Sequence, residues 1–290
     1  MHSHLHFHPI DGESLAQSVV NHVTHAVAED LGTGDISASL IDPDAQATAR
    51  VITRQLGVFC GALWVNETLR QIDPTIQIQW EVKDGNRVAP DQILFVLRGR
   101  ARSLLSAERT LLNFVQLLSG TATRTAHYVA LLSGTDTQLL DTRKTIPGLR
   151  IAQKYAVKCG GGSNHRIGLF DAFLLKENHI VAAGSIGGAI EAAKTAFPDK
   201  PVEIEVENLE ELAEAMAAGA DIALIDNFSI ADTQTAVAIS RGKIVLEASG
   251  GITQDSIAEI ARTGVDYISC GDLTKGVEPL DLSMRFVLDQ

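Results

Sequence analysis

Apolar residues recur at every fourth position near the start of the chain, at Leu15, Val19, Val23 and Val27, and predict a helix from Gly12 to Glu29. It ends before the turn-rich Asp30-Leu31-Gly32-Thr33-Gly34-Asp35. Between Ala47 and Arg98 the pattern shortens to β-like runs at Ala49–Thr53, Ile76–Trp80 and Ile93–Leu97. A helical piece, Leu63–Ile72, separates the first two, and the turn Lys83-Asp84-Gly85-Asn86 separates the last two, which describes a small α+β domain. A long helix is predicted next, from Ser103 to Ser119. Leu104, Leu105, Leu111, Leu112, Val115 and Leu118 give it a broad apolar stripe, and Gly120 is its expected stop.

Beyond this helix the pattern becomes a repeat of apolar strand, polar turn and amphipathic helix. Strand-like runs lie at Gln138–Asp141, Ala172–Lys176, Val202–Val206, Ile222–Asp226, Ile244–Glu247 and Val265–Ser269. Helical patterns at Leu209–Ala218, Ser229–Ser240 and Gln254–Thr263 separate the last four. Such βα units place their strands in parallel, and six in succession predict a closed or nearly closed α/β barrel. A doubly wound open sheet is the competing architecture.

Composition narrows the class. Of 290 residues, 45 % are hydrophobic and 21 % charged, which excludes disorder for the bulk of the chain. The longest uncharged stretch, Thr110 to Thr123, is too short and too polar to span a membrane. The first residues lack the pattern of a secretory signal, so the expected compartment is the cytoplasm. Four alternating histidines, His2, His4, His6 and His8, read as a flexible tail without function. Cys60, Cys159 and Cys270 are far apart in sequence and form no CxxC pair, so they are expected to be reduced and mostly structural. The net charge of −12 argues against general affinity for nucleic acid or acidic membranes, so any bound anion must meet a local cluster.

That cluster is visible. From Asp141 to Lys176 the chain carries Arg143, Lys144, Arg150, Lys154, Lys158, Arg166 and Lys176 against Asp141 and Asp171, a balance of 7 − 2 = +5. Lys154 and Lys158 read as the solvated face of a helix. Arg143, Lys144, Arg166 and Lys176 instead fall at strand ends or in the loop Gly160-Gly161-Gly162-Ser163-Asn164-His165-Arg166, where glycines permit close approach to a ligand and His165 reads as a donor. The strand runs themselves finish in Asp141, Lys176, Glu205 or Val206, Asp226, Glu247 and Ser269, around the C-terminal mouth where barrel enzymes keep their sites. Two-residue alternation turns Glu203 and Glu205 into the lumen, a costly place for a carboxylate without a partner or metal. Glycine turns at Ser249-Gly250-Gly251 and Gly271 suit a phosphate. Together these features suggest a phosphorylated sugar substrate, a magnesium ion and an anionic second substrate.

Seven ordered strings carry a more specific likeness: Glu29–Asp35, Ser106–Asn113, Asp141–Arg150, Gly160–Arg166, Lys176–Ile180, Glu203–Val206 and Ser249–Ile252. With them the chain resembles the quinolinate phosphoribosyltransferase family. The resemblance implies a type II phosphoribosyltransferase fold, with an N-terminal α/β sandwich over residues 1–118 and an incomplete seven-stranded α/β barrel over 119–275. A segment at 276–290 would return to the first domain. It further implies a homodimer in which Arg109 acts in the neighbouring subunit's site, and decarboxylating transfer of phosphoribose from phosphoribosyl pyrophosphate to quinolinate in NAD biosynthesis.

By the same resemblance, Arg143, His165, Arg166 and the neighbour's Arg109 bind the quinolinate carboxylates, with Thr142 beside them. Lys144 and Lys176 serve the leaving pyrophosphate. Glu205 and Asp226 hold ribose hydroxyls and Mg2+, directly or through water. The backbone at Ser249, Gly250, Gly251, Cys270, Gly271 and Asp272 takes the 5′-phosphate. Asp272 is a departure from many relatives and would repel a phosphate unless its side chain points away. A paralogous phosphoribosyltransferase with another acceptor, or a non-enzymatic binder of a phosphorylated metabolite, remains the alternative.

Overall fold

The computed structural model describes residues 10–288, so the histidine-rich start lies outside the described residues. The first elements in chain order are α1 (Gly12–Leu31), β1 (Gln46–Thr53), β2 (Gly57–Val58), α2 (Ala62–Ile72), β3 (Gln77–Trp80), β4 (Arg87–Val88), β5 (Ile93–Arg100) and α3 (Ala101–Leu131). There follow β6 (Gln138–Leu140), α4 (Arg150–Cys159), β7 (Phe173–Leu175), α5 (Glu177–Ala183), α6 (Ile186–Ala196), β8 (Val202–Val206) and α7 (Leu209–Ala217). The chain closes with β9 (Ile222–Asp226), α8 (Ile230–Ser240), β10 (Val245–Ser249), α9 (Ile257–Arg262), β11 (Tyr267–Ser269), α10 (Asp272–Lys275) and β12 (Leu282–Leu288). They divide into two compact units. One holds Ile10–Ala126, Thr145–Gly161 and the chain from Leu273 onward; the other holds His127–Lys144 and Gly162–Asp272.

In the first unit an antiparallel sheet runs β12-β1-β5-β3. β1 is central, with Val51 opposite Phe95 on one side and Met284 on the other. Ala47, Ala49 and Val51 alternate onto one buried face and pack with Phe59, Leu94, Phe95, Leu97, Leu104 and Leu111. A second cluster surrounds Trp64, which meets Val19 and Val23 of α1 and Phe114 and Leu118 of α3. All three cysteines are free thiols.

Two expectations fail in this unit. Gly120 does not stop the long helix, which continues to Leu131. The glycine is there because the chain at Glu278 crosses α3 so closely that a Cβ at residue 120 would lie 2.2 Å from the Glu278 carbonyl oxygen. Lys154 is not on a solvated face: it is fully buried in α4, and of the two lysines only Lys158 is exposed.

The second unit is a six-stranded sheet in the order β6-β11-β10-β9-β8-β7, and all its pairs are parallel. Five strands follow in succession, and the first, β6, pairs with the last, β11. A doubly wound sheet reverses direction from a middle strand, whereas this circular order is that of a barrel left open between β6 and β7. Six strands form where the resemblance implies seven. At the open edge Leu140 makes a single parallel bridge to Ser163, which is all that the described residues supply of a seventh. Ile204, Leu224, Leu246 and Ile268 are buried along these strands.

Candidate active site

The barrel unit positions its polar groups by strand register. β8 alternates as expected: Val202, Ile204 and Val206 are buried, and Glu203 and Glu205 share the other face. Glu203, the deeper of the two, is almost fully buried. Glu205 sits nearer the strand end and forms an ion pair with Lys176, the residue that follows β7. β10 does not finish at Glu247 but runs two residues further, to Ser249, so Glu247 lies inside the strand and is fully buried.

Glu203 and Glu247 converge on His165. The imidazole Nε2 lies 3.1 Å from Glu203 Oε2 and 3.4 Å from Glu247 Oε2. Apart from His165 and one another, no described side chain donates a hydrogen bond to these carboxylates. The His165 Nδ1 accepts the Arg166 backbone N–H at 2.7 Å, which leaves the ring proton on Nε2, between the glutamates. Burial works against a charged imidazole here, but Glu247 and Glu203 outweigh it and lift His165 to about 10. Burial, then Glu247, push Glu203 up to about 7. The two values describe one retained proton, and because Nδ1 is already accepting, we place it on the glutamate side of the cluster.

Asp141 anchors the loop that carries His165. Its buried carboxylate accepts the His165 backbone N–H at 2.9 Å and the Asn164 Nδ2 at 2.7 Å. Asp171 fixes the next turn by accepting the N–H groups of Ile167, Gly168 and Ala172. Arg166 is held by its Nη1 donating to the Ala172 carbonyl at 3.1 Å. Its guanidinium binds its proton less tightly than usual, first because it is buried and then because Arg143 is a cationic neighbour. Guanidiniums pair bidentately with planar carboxylates, the chemistry these two side chains could supply.

The remaining candidates fall into two groups. Asp226 ends β9 directly beside Ser249 of β10, and the glycine turn Gly250-Gly251 follows. Thr142, Lys144 and Gly271 lie together: a Cβ on Gly271 would meet Lys144 Cδ at 2.9 Å and Thr142 Oγ1 at 3.4 Å. Arg109 is exposed on α3, within the other compact unit.

Of the residues expected in a phosphate cradle after β11, Cys270 has its N–H committed elsewhere and Asp272 turns its carboxylate aside. The Cys270 N–H donates to the Leu140 carbonyl at 3.0 Å as part of the sheet, so it is taken. Asp272 does point aside, since its Oδ2 accepts the buried Tyr128 hydroxyl at 2.7 Å. Glu203 and Glu247 are the site residues that sequence reasoning left without a role. The signal was an ionisable residue followed by Ala248 within an unbroken apolar run, the mark of a position inside a strand.

An incomplete barrel with paired arginines, a lysine–carboxylate pair and acidic strand ends defines an enzyme of small polyanions built on a type II phosphoribosyltransferase fold. Residues 35–119 match the quinolinate phosphoribosyl transferase N-terminal domain and 121–285 its C-terminal domain, so the chain belongs to that family. It is 41 % identical over 267 residues to a probable nicotinate-nucleotide pyrophosphorylase [carboxylating] of Bacillus subtilis, covering 92 % of each chain. Its 41 % identity with the nicotinate-nucleotide pyrophosphorylase [carboxylating] of Mycobacterium leprae covers 90 % of this chain and 95 % of the relative. Among solved structures, the nicotinate-nucleotide pyrophosphorylase of Francisella tularensis superposes with a TM-score of 0.91 at 50 % identity, covering 97 % of this chain and 99 % of that one. No helix among the described residues is long and apolar enough to cross a membrane.

Proposed function

We propose that this chain transfers the phosphoribosyl group of phosphoribosyl pyrophosphate to quinolinate with loss of CO2, giving nicotinate mononucleotide and pyrophosphate for NAD biosynthesis in the cytoplasm. The observation that carries this reading is a buried Arg166, on the loop that also brings His165 to Glu203 and Glu247, with the cationic Arg143 near enough to lower its proton affinity. Each guanidinium fork matches a planar carboxylate, and the pair suits a pyridine that bears two. An acceptor with a single carboxylate would leave one cation unmatched, which disfavours a paralogue acting on nicotinate.

Glu205 and Asp226, at the ends of adjacent strands, hold the ribose hydroxyls and favour the positive charge that develops on the sugar as pyrophosphate departs. Lys144 and Lys176 meet the departing oxygens, and the Ser249–Gly251 turn takes the 5′-phosphate. Glu205 and Asp226 also suit Mg2+ by donor chemistry, being hard oxygen ligands with one oxygen engaged, by Lys176 and by Asn227. When bound, that ion supplies charge neutralisation for the pyrophosphate. Once the ring nitrogen carries the sugar it is positive, and the adjacent carboxylate departs as CO2 while its bonding pair stays on the ring carbon beside that nitrogen, where a proton from water completes nicotinate mononucleotide. No separate base is required.

The exposed position of Arg109 supports its service in the site of a second copy, and we assign the working assembly as a homodimer. Incubating the protein with quinolinate, phosphoribosyl pyrophosphate and Mg2+ tests the reading through stoichiometric release of CO2 and nicotinate mononucleotide. Turnover with nicotinate but not quinolinate would overturn it.

A further inference from the structure

Asn227 follows β9 in the left-handed backbone region, at φ 56°. A side chain there is strained, and asparagine tolerates it better than most. Only one other described non-glycine residue, Asp91, has a positive φ. The position ties two strand ends together. The Asn227 N–H donates to the Ser249 carbonyl at 3.0 Å, and its Nδ2 donates to Asp226 Oδ2 at 2.8 Å. Its amide also occupies the space beside Gly250, where a Cβ would fall 2.2 Å from Asn227 Oδ1. Gly250 therefore has to be glycine both for its φ of 92° and for this contact.

We infer that Asn227 is a positioning residue that locks the Asp226 carboxylate to the Ser249–Gly251 turn, and so fixes the distance between the ribose-hydroxyl end and the 5′-phosphate end of the sugar donor. This rests on the reading of the site given above. The amide engages one oxygen of Asp226, while the backbone bond to Ser249 pins the phosphate turn. A sugar phosphate gripped at both ends is held in one geometry relative to the acceptor, and rate depends steeply on such placement. Quinolinate lies with Arg143 and Arg166, outside this lock.

Asn227→Gly and Asn227→Asp separate the parts of the role. Glycine keeps the left-handed backbone but removes the amide; aspartate keeps the size and replaces the donor with a second acceptor against Asp226. Both variants are expected to lose about 10–100-fold in kcat/KM for phosphoribosyl pyrophosphate. Calorimetric binding of phosphoribosyl pyrophosphate with Mg2+ weakens in parallel, and the Kd for quinolinate alone stays within about twofold. Unchanged donor binding in both variants would overturn the role, as would equal loss for both substrates, the result of a merely structural part. Wild-type protein that binds no phosphoribosyl pyrophosphate would instead refute the underlying reading of the site, and this role with it.

Discussion

His165 Nε2 lies 3.1 Å from Glu203 Oε2 in the barrel interior, with Glu247 Oε2 at 3.4 Å from the same nitrogen. Both partners have raised proton affinity in the folded chain, His165 from 6.5 to about 10 and Glu203 from 4.5 to about 7. A raised folded value means that the native state binds protons the unfolded chain has released. The cluster retains one such proton, so its stabilisation is present at and below neutral pH and is lost as pH climbs from about 7 towards about 10. Denaturant unfolding should therefore show stability falling between pH 7 and 10, by a few kcal/mol at most. Glu247→Gln, which removes one of the charges facing His165, should flatten that pH dependence. An unaltered slope in the variant would mean that the cluster does not retain the proton.

The proposed role of Arg143 gives a second test. If Arg143 grips a quinolinate carboxylate as proposed, Arg143→Ala should raise KM for quinolinate by roughly 10–100-fold, the worth of a charged bidentate contact. KM for phosphoribosyl pyrophosphate should change little. Steady-state kinetics with each substrate varied in turn checks the split, and equal loss for both substrates would place Arg143 elsewhere.

How much of this was legible in the residues depends on the range of the determining contact. The alternation in Val202–Val206 displayed Glu203 and Glu205 on one face because strand period is a local property. The convergence of Glu203 and Glu247 on His165 was hidden, since it needs the register of β8, β9 and β10 together with the path of the Gly160–Arg166 loop. Lys154 looked solvated because helical spacing alone cannot say which face of α4 meets the core. Cys270 looked available until the parallel pairing of β11 with β6 claimed its N–H. Asp272 was the reverse case: its chemistry raised the question, and only the distant Tyr128 answered it.

Glu205 and its ion pair with Lys176 yield a prediction about the chemical step. Truncating Glu205 to alanine removes the carboxylate proposed to favour charge that exists mainly in the transition state, together with the ion pair to Lys176. Glu205→Ala should lower kcat by about 100- to 1,000-fold while changing KM for either substrate far less. Lys176→Ala should cost less in kcat, because in the proposed site Lys144 shares the departing pyrophosphate. Pre-steady-state measurement of nicotinate mononucleotide formation separates the chemical step from product release. A loss confined to KM would make Glu205 a ground-state binder.

The helix that outruns its expected stop offers a test of packing. Gly120 lies within α3, where alanine in place of glycine would ordinarily stabilise by about 1 kcal/mol. Here the added methyl would fall 2.2 Å from the Glu278 carbonyl oxygen and 3.2 Å from Pro279 Cα. The crossing segment has little freedom to retreat, because the Leu280 N–H is bonded to the Gln116 carbonyl at 3.0 Å. Overpacking against backbone therefore outweighs the gain in helix propensity. Gly120→Ala is expected to destabilise the protein by about 2 kcal/mol, read as a lower denaturation midpoint at unchanged m-value. A variant as stable as the wild type would show that the C-terminal segment yields, and that glycine at residue 120 is not required by the crossing.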